Sequence, residues 1–189
     1  MDGEQRLPLG RGFRAMTEAT PEQWSRIAAA DAAFAASLPD WLLGHLTLLR
    51  DDRHGFDIDR LEHCLQTATR ALRDGRDEDY VVCALMHDIG SALAPQEHAE
   101  FAAMILRPFV SEQNHWMLAH HGIFQGYYFL HFFGGDRNQR ERFRGHPHFE
   151  HTAQFCHLYD QMAFDPGYQS LPLEAFEPMV RRVLAVRKR

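Results

Sequence analysis

DRLEHCLQTATRALRDGRDEDYVVCALMHDIG, residues 59–90, sets two helical segments one after the other across a short polar link. In the first, Leu61, Leu65, Ala68 and Leu72 recur at three- and four-residue spacing, and Gly75 supplies a stop. In the second, an apolar run ends on His87-Asp88, with Ile89-Gly90 behind it. A short link lets the two helices run antiparallel, which brings His63 opposite His87. Two imidazoles and the Asp88 carboxylate then form a mixed nitrogen and oxygen set suited to a first-row transition ion. An ion also offsets the cost of burying Asp88, which is high for an unpaired carboxylate. Neighbouring side chains on a helix diverge by about 100°, so both reach one ion most easily at a helix end, which Gly90 provides.

Helical spacing dominates on both sides of this hairpin. Upstream, PEQWSRIAAADAAFAA has Thr20 at a capping position and Pro21 in the first turn, with Trp24, Ile27 and Phe34 able to share a face. DWLLGHLTLLR follows. Downstream come QEHAEFAAMILRPF, ended by Pro108, and SEQNHWMLAHHG, with a predicted stop at Gly122. The aromatic run IFQGYYFLHFFGG and an arginine-rich loop lead to HFEHTAQFCHLYDQMAF and LEAFEPMVRRVLAV. Few stretches alternate with period two, so the prediction is an all-α compact bundle: an N-terminal arm over residues 1–20 and a single helical domain over 21–189, with a metal-binding core near 55–165.

With 189 residues, 45% of them hydrophobic and 24% charged, the chain can bury a core and one pocket, and no apolar run approaches the length of a membrane span. The net charge of −6 argues against a general nucleic-acid binder. The N-terminus lacks the features of a secretory signal and the three cysteines have no pairing spacing, so a cytoplasmic setting is expected. Lys188 is the only lysine, so no lysine in the body of the chain is available as a catalytic amine. Histidine is the excess: thirteen in all, nine of them between His98 and His157. It is the commonest metal ligand.

His63, then His87-Asp88-Ile89-Gly90, then Asp160 resemble the H…HD…D pattern of the HD-domain superfamily of metal-dependent enzymes. The resemblance implies that Asp88 bridges two metals where two are bound and that Asp160 completes the first site; Asp165 competes with Asp160 for that role but is better placed to cap the turn at Pro166. In dinuclear members two further histidines come from the intervening helices. Here His98 and His121 fill those places, with His120 as the near alternative to His121 or its companion. His87 and Asp88 then stand at the catalytic centre of a six-ligand set.

Two reactions use such a set. One is metal-dependent phosphohydrolysis; the other is the chemistry of the mixed-valent diiron oxygenases that cleave inositol and hydroxyalkylphosphonates. Similarity in ligand order and compactness favours the oxygenase, with two irons, dioxygen as co-substrate and a small hydroxylated substrate, phosphonates included; manganese, magnesium or zinc would accompany hydrolysis. Ser91 and Gln125 stand where those oxygenases carry a substrate-gripping lysine. Gln125 and Tyr128 are placed to wall a pocket, and Arg142, Arg144 and His146 to border its entrance and hold an anionic group. The expected partner is a small molecule, without nucleic acid or membrane, and a homodimer is compatible with the sequence.

Overall fold

A computed structural model describes residues 12–188. All regular structure among them is helical, as the periodicity requires. The main helices are α1 (Pro21–Ala36), α2 (Leu38–Leu46), α3 (Arg60–Arg73), α4 (Glu78–Met86), α5 (His98–Leu106), α6 (Glu112–Phe129), α7 (Phe149–Phe155) and α8 (Leu173–Ala185). Among the described residues no single helix is long and apolar enough to cross a membrane.

The chain divides into two units, one ending at Leu38 and the other running from Pro39. The first contains α1, which therefore falls on the other side of the division from the domain expected to begin at residue 21. Thr20 and Gln23 close a capping box over its first turn, with Pro21 at the first helical position. It buries no side chain, and Trp24 and Phe34 are exposed. Of the predicted arm, residues 1–11 lie outside the described residues, and Met16–Glu18 form one 3-10 turn.

The second unit is built around α4. Every residue from Tyr80 to Ser91 is buried, so this helix is apolar on all sides and sits at the centre of the bundle. Each fully buried aliphatic side chain there contributes about 1.5–3 kcal/mol. Helix α3 packs along α4 as the predicted antiparallel partner, α5 packs on α6, and α8 closes against α4. Asp59, Asp77 and Ser111 cap α3, α4 and α6 by accepting from the backbone N–H three residues on. Asp74 follows α3, and Gly75 takes φ 77°, a left-handed conformation that glycine adopts without strain.

Three predicted boundaries shift. Helix α4 ends at Met86, and His87 to Leu93 continue as tight turns, so His87 and Asp88 leave the helix before Gly90 is reached. Helix α6 does not stop at Gly122 but runs on to Phe129. A lone glycine inside a helix costs about 1 kcal/mol relative to alanine and does not end it; a Cβ there would only reach ordinary contact, 3.9 Å, with the His98 ring. The last ligand-bearing segment is not one helix: α7 gives way to a π-helical turn, Cys156–Asp160. Such turns insert one residue and rotate the side chains beyond it about the helix axis, which here turns Asp160 inward.

Candidate metal centre

The interior end of the α3–α4 hairpin collects four histidines and two carboxylates. His63 comes from the first turn of α3, His87 and Asp88 from the turn after α4, His98 from the first position of α5, His121 from the middle of α6 and Asp160 from the π-helical turn. His63, His87, Asp88, His121 and Asp160 are buried; His98 is partly exposed.

Each imidazole is held in one tautomer by the main chain. Nδ1 of His63 lies 2.9 Å from the Ala163 carbonyl, that of His87 2.8 Å from Ala84, that of His98 3.1 Å from Pro95 and that of His121 2.7 Å from Leu118. A carbonyl oxygen only accepts, so every Nδ1 carries the proton and donates it. In the neutral ring every Nε2 then presents a lone pair, the arrangement of metal-bound histidines. The Nε2 atoms of His63 and His87 face each other at 3.0 Å. Two lone pairs at that distance repel unless a cation lies between or beside them.

The carboxylates complete the centre. Oδ1 of Asp88 lies 3.3 Å from His98 Nε2, 3.5 Å from His121 Nε2 and 3.8 Å from His87 Nε2, while Oδ2 lies 3.8 Å from His63 Nε2. Its two oxygens thus address different imidazoles, as a bridging carboxylate must. Oδ1 of Asp160 is 3.3 Å from His63 Nε2 and 3.8 Å from His87 Nε2. Among the described residues, two groups bring one ligand atom per residue within 4.8 Å of each other: His63, His87 and Asp160, and His87, Asp88 and His121. His121 Nε2 and Asp160 Oδ2 are buried without a hydrogen-bond partner. These orphaned acceptors, with four lone pairs and two carboxylates, fit divalent transition ions.

The electrostatics agree with a cation-binding pocket. Burial holds the His87 imidazole down, to about 4, so it is neutral at physiological pH. Burial would raise Asp88 and Asp160, but the surrounding imidazoles outweigh it and keep both below the ordinary carboxylate range. For His63 the balance reverses: burial opposes protonation, and Asp160 and Asp88 more than offset it.

Supporting contacts come from residues far apart in sequence. Gln66 donates to the Asp165 carbonyl at 2.7 Å and accepts from its N–H at 3.3 Å, tying the segment after Asp160 to α3. Gln125 Nε2 donates to Asp160 Oδ1 at 2.9 Å, so it positions a ligand. Gly90 allows the closest approach of backbone: a Cβ there would stand 2.8 Å from His98 Cα and O and from Phe101 Cβ. It is the contact between the HD turn and α5, rather than a helix stop, that requires glycine.

Arg60, which sequence reasoning missed, reaches the centre. Its Nη1 donates to Asp88 Oδ2 at 2.7 Å, and Nη2 lies 3.3 Å from Nδ1 of the exposed His54. Arg60 stands three residues before His63, a spacing that puts both on one helix face and could have drawn attention to it. With Asp52, Arg53, Phe56 and Phe164 it lines a crevice of about 10 Å³ opening on His63, room for about one water. Phe164 stacks on the His63 ring at 4.4 Å and Phe56 on Phe164 at 4.7 Å.

Other predicted site residues lie elsewhere. His120 points away from the cluster: it donates from Nδ1 to the Trp116 carbonyl at 2.9 Å and stacks on that indole, where His146 also stacks. The structure thus brings His121, and not His120, to the ligands. Arg144 is exposed and held by Glu141 at 2.6 Å and by Glu150 at 3.6 Å, while Arg142 lies over Phe143. Neither touches the six residues, because acidic and aromatic neighbours close in sequence satisfy them first. Tyr128 meets His157 at 3.2 Å, and Ser91 is buried beside Asp88, its N–H donating to the Asp88 carbonyl at 2.9 Å. Asp165 accepts from the Gly167 N–H at 2.8 Å, the turn-capping role expected of it.

No curated protein matches the chain. The family model described as HD domain matches residues 60–165, more than half of the sequence and the whole span from Arg60 to Asp165 that builds the centre. By that match, and by the pattern of histidines and aspartates it encloses, the chain belongs to the HD domain family.

Proposed function

We propose that this chain is a dinuclear metal-dependent hydrolase that cleaves a phosphate ester of a small molecule. The observation that carries this reading is Arg60. A guanidinium fixed 2.7 Å from the carboxylate between the two ligand groups supplies a permanent positive charge at the mouth of the pocket. Asp88 keeps Arg60 charged despite burial. One of its terminal nitrogens is committed to Asp88; the other is held only by His54 and is the one available to an oxyanion. Planar, fork-like donors of this kind match phosphate oxygens.

The remaining residues have definable parts. His63, His87 and Asp160 would hold one ion, His98 and His121 the other, with Asp88 between them. Bound there, the ions would supply an activated water and neutralise charge on the phosphate. Gln125 keeps Asp160 turned inward, and the Phe164–Phe56 stack covers His63 and limits water. Access runs past the segment before α3, where Asp51 and His54 adopt φ of 65° and 44°, conformations rare outside glycine.

A second reading rests on the donor set. Four imidazoles and two carboxylates also suit iron, which supports the diiron oxygenase that the sequence favours, acting on a small hydroxylated substrate with dioxygen. Ligand substitutions cannot separate the readings, since both use the same six residues. The test varies metal and gas. Phosphate released from a phosphate ester under argon with manganese or magnesium, and lost in Arg60→Gln, would support hydrolysis. Oxygen uptake that requires iron and an added hydroxylated compound, with no phosphate released under argon, would replace it with the oxygenase.

A further inference from the structure

At the far end of α3 the chain carries a second cluster of cations. Arg70 and Arg73 lie two and three turns beyond His63, about 10 and 15 Å along the helix axis, and with Asp74, Leu158, Tyr159 and Tyr168 they line an open cleft of about 330 Å³. Both guanidiniums lie against one ring: Arg70 over Tyr168 at 4.0 Å and Arg73 at 5.2 Å. Arg73 is anchored, donating to the Tyr168 hydroxyl at 2.9 Å and the Gln169 carbonyl at 2.8 Å. Arg70 is not. Its Nε is buried without a hydrogen-bond partner, and among the described residues its guanidinium forms no ion pair.

The one carboxylate lining the cleft does not neutralise this pair. Asp74 Oδ2 accepts from the Tyr159 hydroxyl at 2.5 Å, and Arg76 Nε donates to that same hydroxyl at 2.8 Å, so the Asp74–Tyr159–Arg76 chain is satisfied within itself. Basic residues near a helix C-terminus complement the macrodipole, which accounts for having arginines in this turn. It does not account for stacking two like charges on one tyrosine beside a cleft while the Nε of one of them has no hydrogen-bond partner. Like charges held together in this way are relieved by an anion.

We infer that this cleft is a binding site, separate from the metal centre, for a small molecule bearing a phosphate or carboxylate group, with Arg70 as the recognising donor and Arg73 and Tyr168 as its rigid support. The planar fork of Arg70, held 4.0 Å over the Tyr168 ring, offers parallel N–H donors to two oxygens of one anionic group. Tyr159 forms the floor of the cleft and directly precedes Asp160 in the π-helical turn, so the occupant would sit one residue from a metal ligand.

The test titrates the purified, metal-loaded full chain with inorganic phosphate and, separately, with succinate, by calorimetry, with melting curves run in parallel. At least one of the two should bind to the wild type, and Arg70→Gln should weaken that binding by about tenfold or more, the loss of one charged hydrogen bond. Arg60→Gln, which touches only the metal pocket, should leave it in place. Without ligand, Arg70→Gln should melt within a few degrees of the wild type, because it removes an unpartnered buried Nε together with a cation–π contact of about 0.5–2 kcal/mol. The choice between phosphate and carboxylate rests on which probe binds. If neither binds, if Arg70→Gln binds as the wild type does, or if binding disappears in Arg60→Gln alone, the site is not there. A lower melting temperature in Arg70→Gln with binding unchanged would make Arg70 a structural cation on Tyr168 and overturn the proposal equally.

Discussion

The Nε2 atoms of His63 and His87 lie 3.0 Å apart, and both rings already donate their Nδ1–H to main-chain carbonyls, of Ala163 and Ala84. Between two neutral rings the contact is unfavourable, and a cation that accepts both lone pairs makes it favourable. Chelation should therefore lower the melting temperature. At an ion concentration a hundred times its dissociation constant, linkage contributes about 2.7 kcal/mol, or roughly 5–11 °C for a domain of this size. A melting curve with and without chelator measures it; coincident curves would mean that the cluster binds no ion.

Occupancy should divide along the carboxylates. Because the two oxygens of Asp88 face different imidazoles, Asp88→Ala is expected to reduce both ions, whereas His98→Ala should empty mainly one. Metal analysis of the two variants decides it. Two ions per chain retained in Asp88→Ala would rule out the bridging position.

Gly90→Ala tests the fold's tightest backbone approach. The added methyl would meet main-chain atoms of His98 at 2.8 Å, and no rotamer can relieve it. Overpacking of this kind costs about 1–3 kcal/mol. The expected result is a melting temperature several degrees lower and loss of the ion that His98 serves, read by calorimetry and metal content. A variant with unchanged stability and full occupancy would show that α5 can withdraw freely.

Arg60→Gln should raise KM more than it lowers kcat if its charge binds a phosphate oxygen equally in ground and transition states. Loss of one charged hydrogen bond, about 1.5–3 kcal/mol, corresponds to roughly 10–150-fold. Arg60→Lys should restore only part, since a point charge replaces the fork. An equal fall in kcat and kcat/KM would instead assign Arg60 to the transition state alone.

His151 offers a pH test away from the ligands. Its Nε2 lies 2.8 Å from Asn114 Oδ1, and burial, with Arg76 nearby, pushes it down to about 4. The unfolded chain takes up this proton near 6.5 and the folded chain only near 4, so the unfolded state holds more protons between those values. The stability due to neutral His151 is complete above about pH 6.5 and declines as pH falls towards 4. His151→Gln should flatten the dependence of melting temperature on pH across that window. A slope identical to that of the wild type would place the titration elsewhere.

Much of the centre was legible because it follows local rules. The spacing of Leu61, Leu65 and Ala68 and the short link at Gly75 imply the hairpin that opposes His63 to His87, and the motif resemblance singles out His98, His121 and Asp160, which the fold gathers. What escaped depends on distance in sequence or on hidden geometry. Gln125 and Asp160 are 35 residues apart, and nothing local links them. Arg60, at the start of an amphipathic helix, reads as a solvated cap until the turn carrying Asp88 is folded over it. Gly122 resembles a helix stop because glycine so often ends one, but a single glycine is too small a penalty to break α6, which runs on to Phe129. Arg142 and Arg144 drew attention by charge density, yet Glu141 and Glu150 stand close enough in sequence to claim Arg144 locally.

The carbonyl anchors on the four imidazoles have a consequence for which metal the protein carries. Folding itself orients the rings and fixes Nδ1 as the donor to the main chain, so an arriving ion finds its ligands already aimed and need not reshape them. A cradle of this kind gives every divalent transition ion nearly the same welcome, and the order of affinity reverts to the intrinsic one of nitrogen and oxygen donors. Metal identity in the cell would then be decided by supply, and protein prepared from iron-rich and from manganese-rich media would differ in content while sharing one fold.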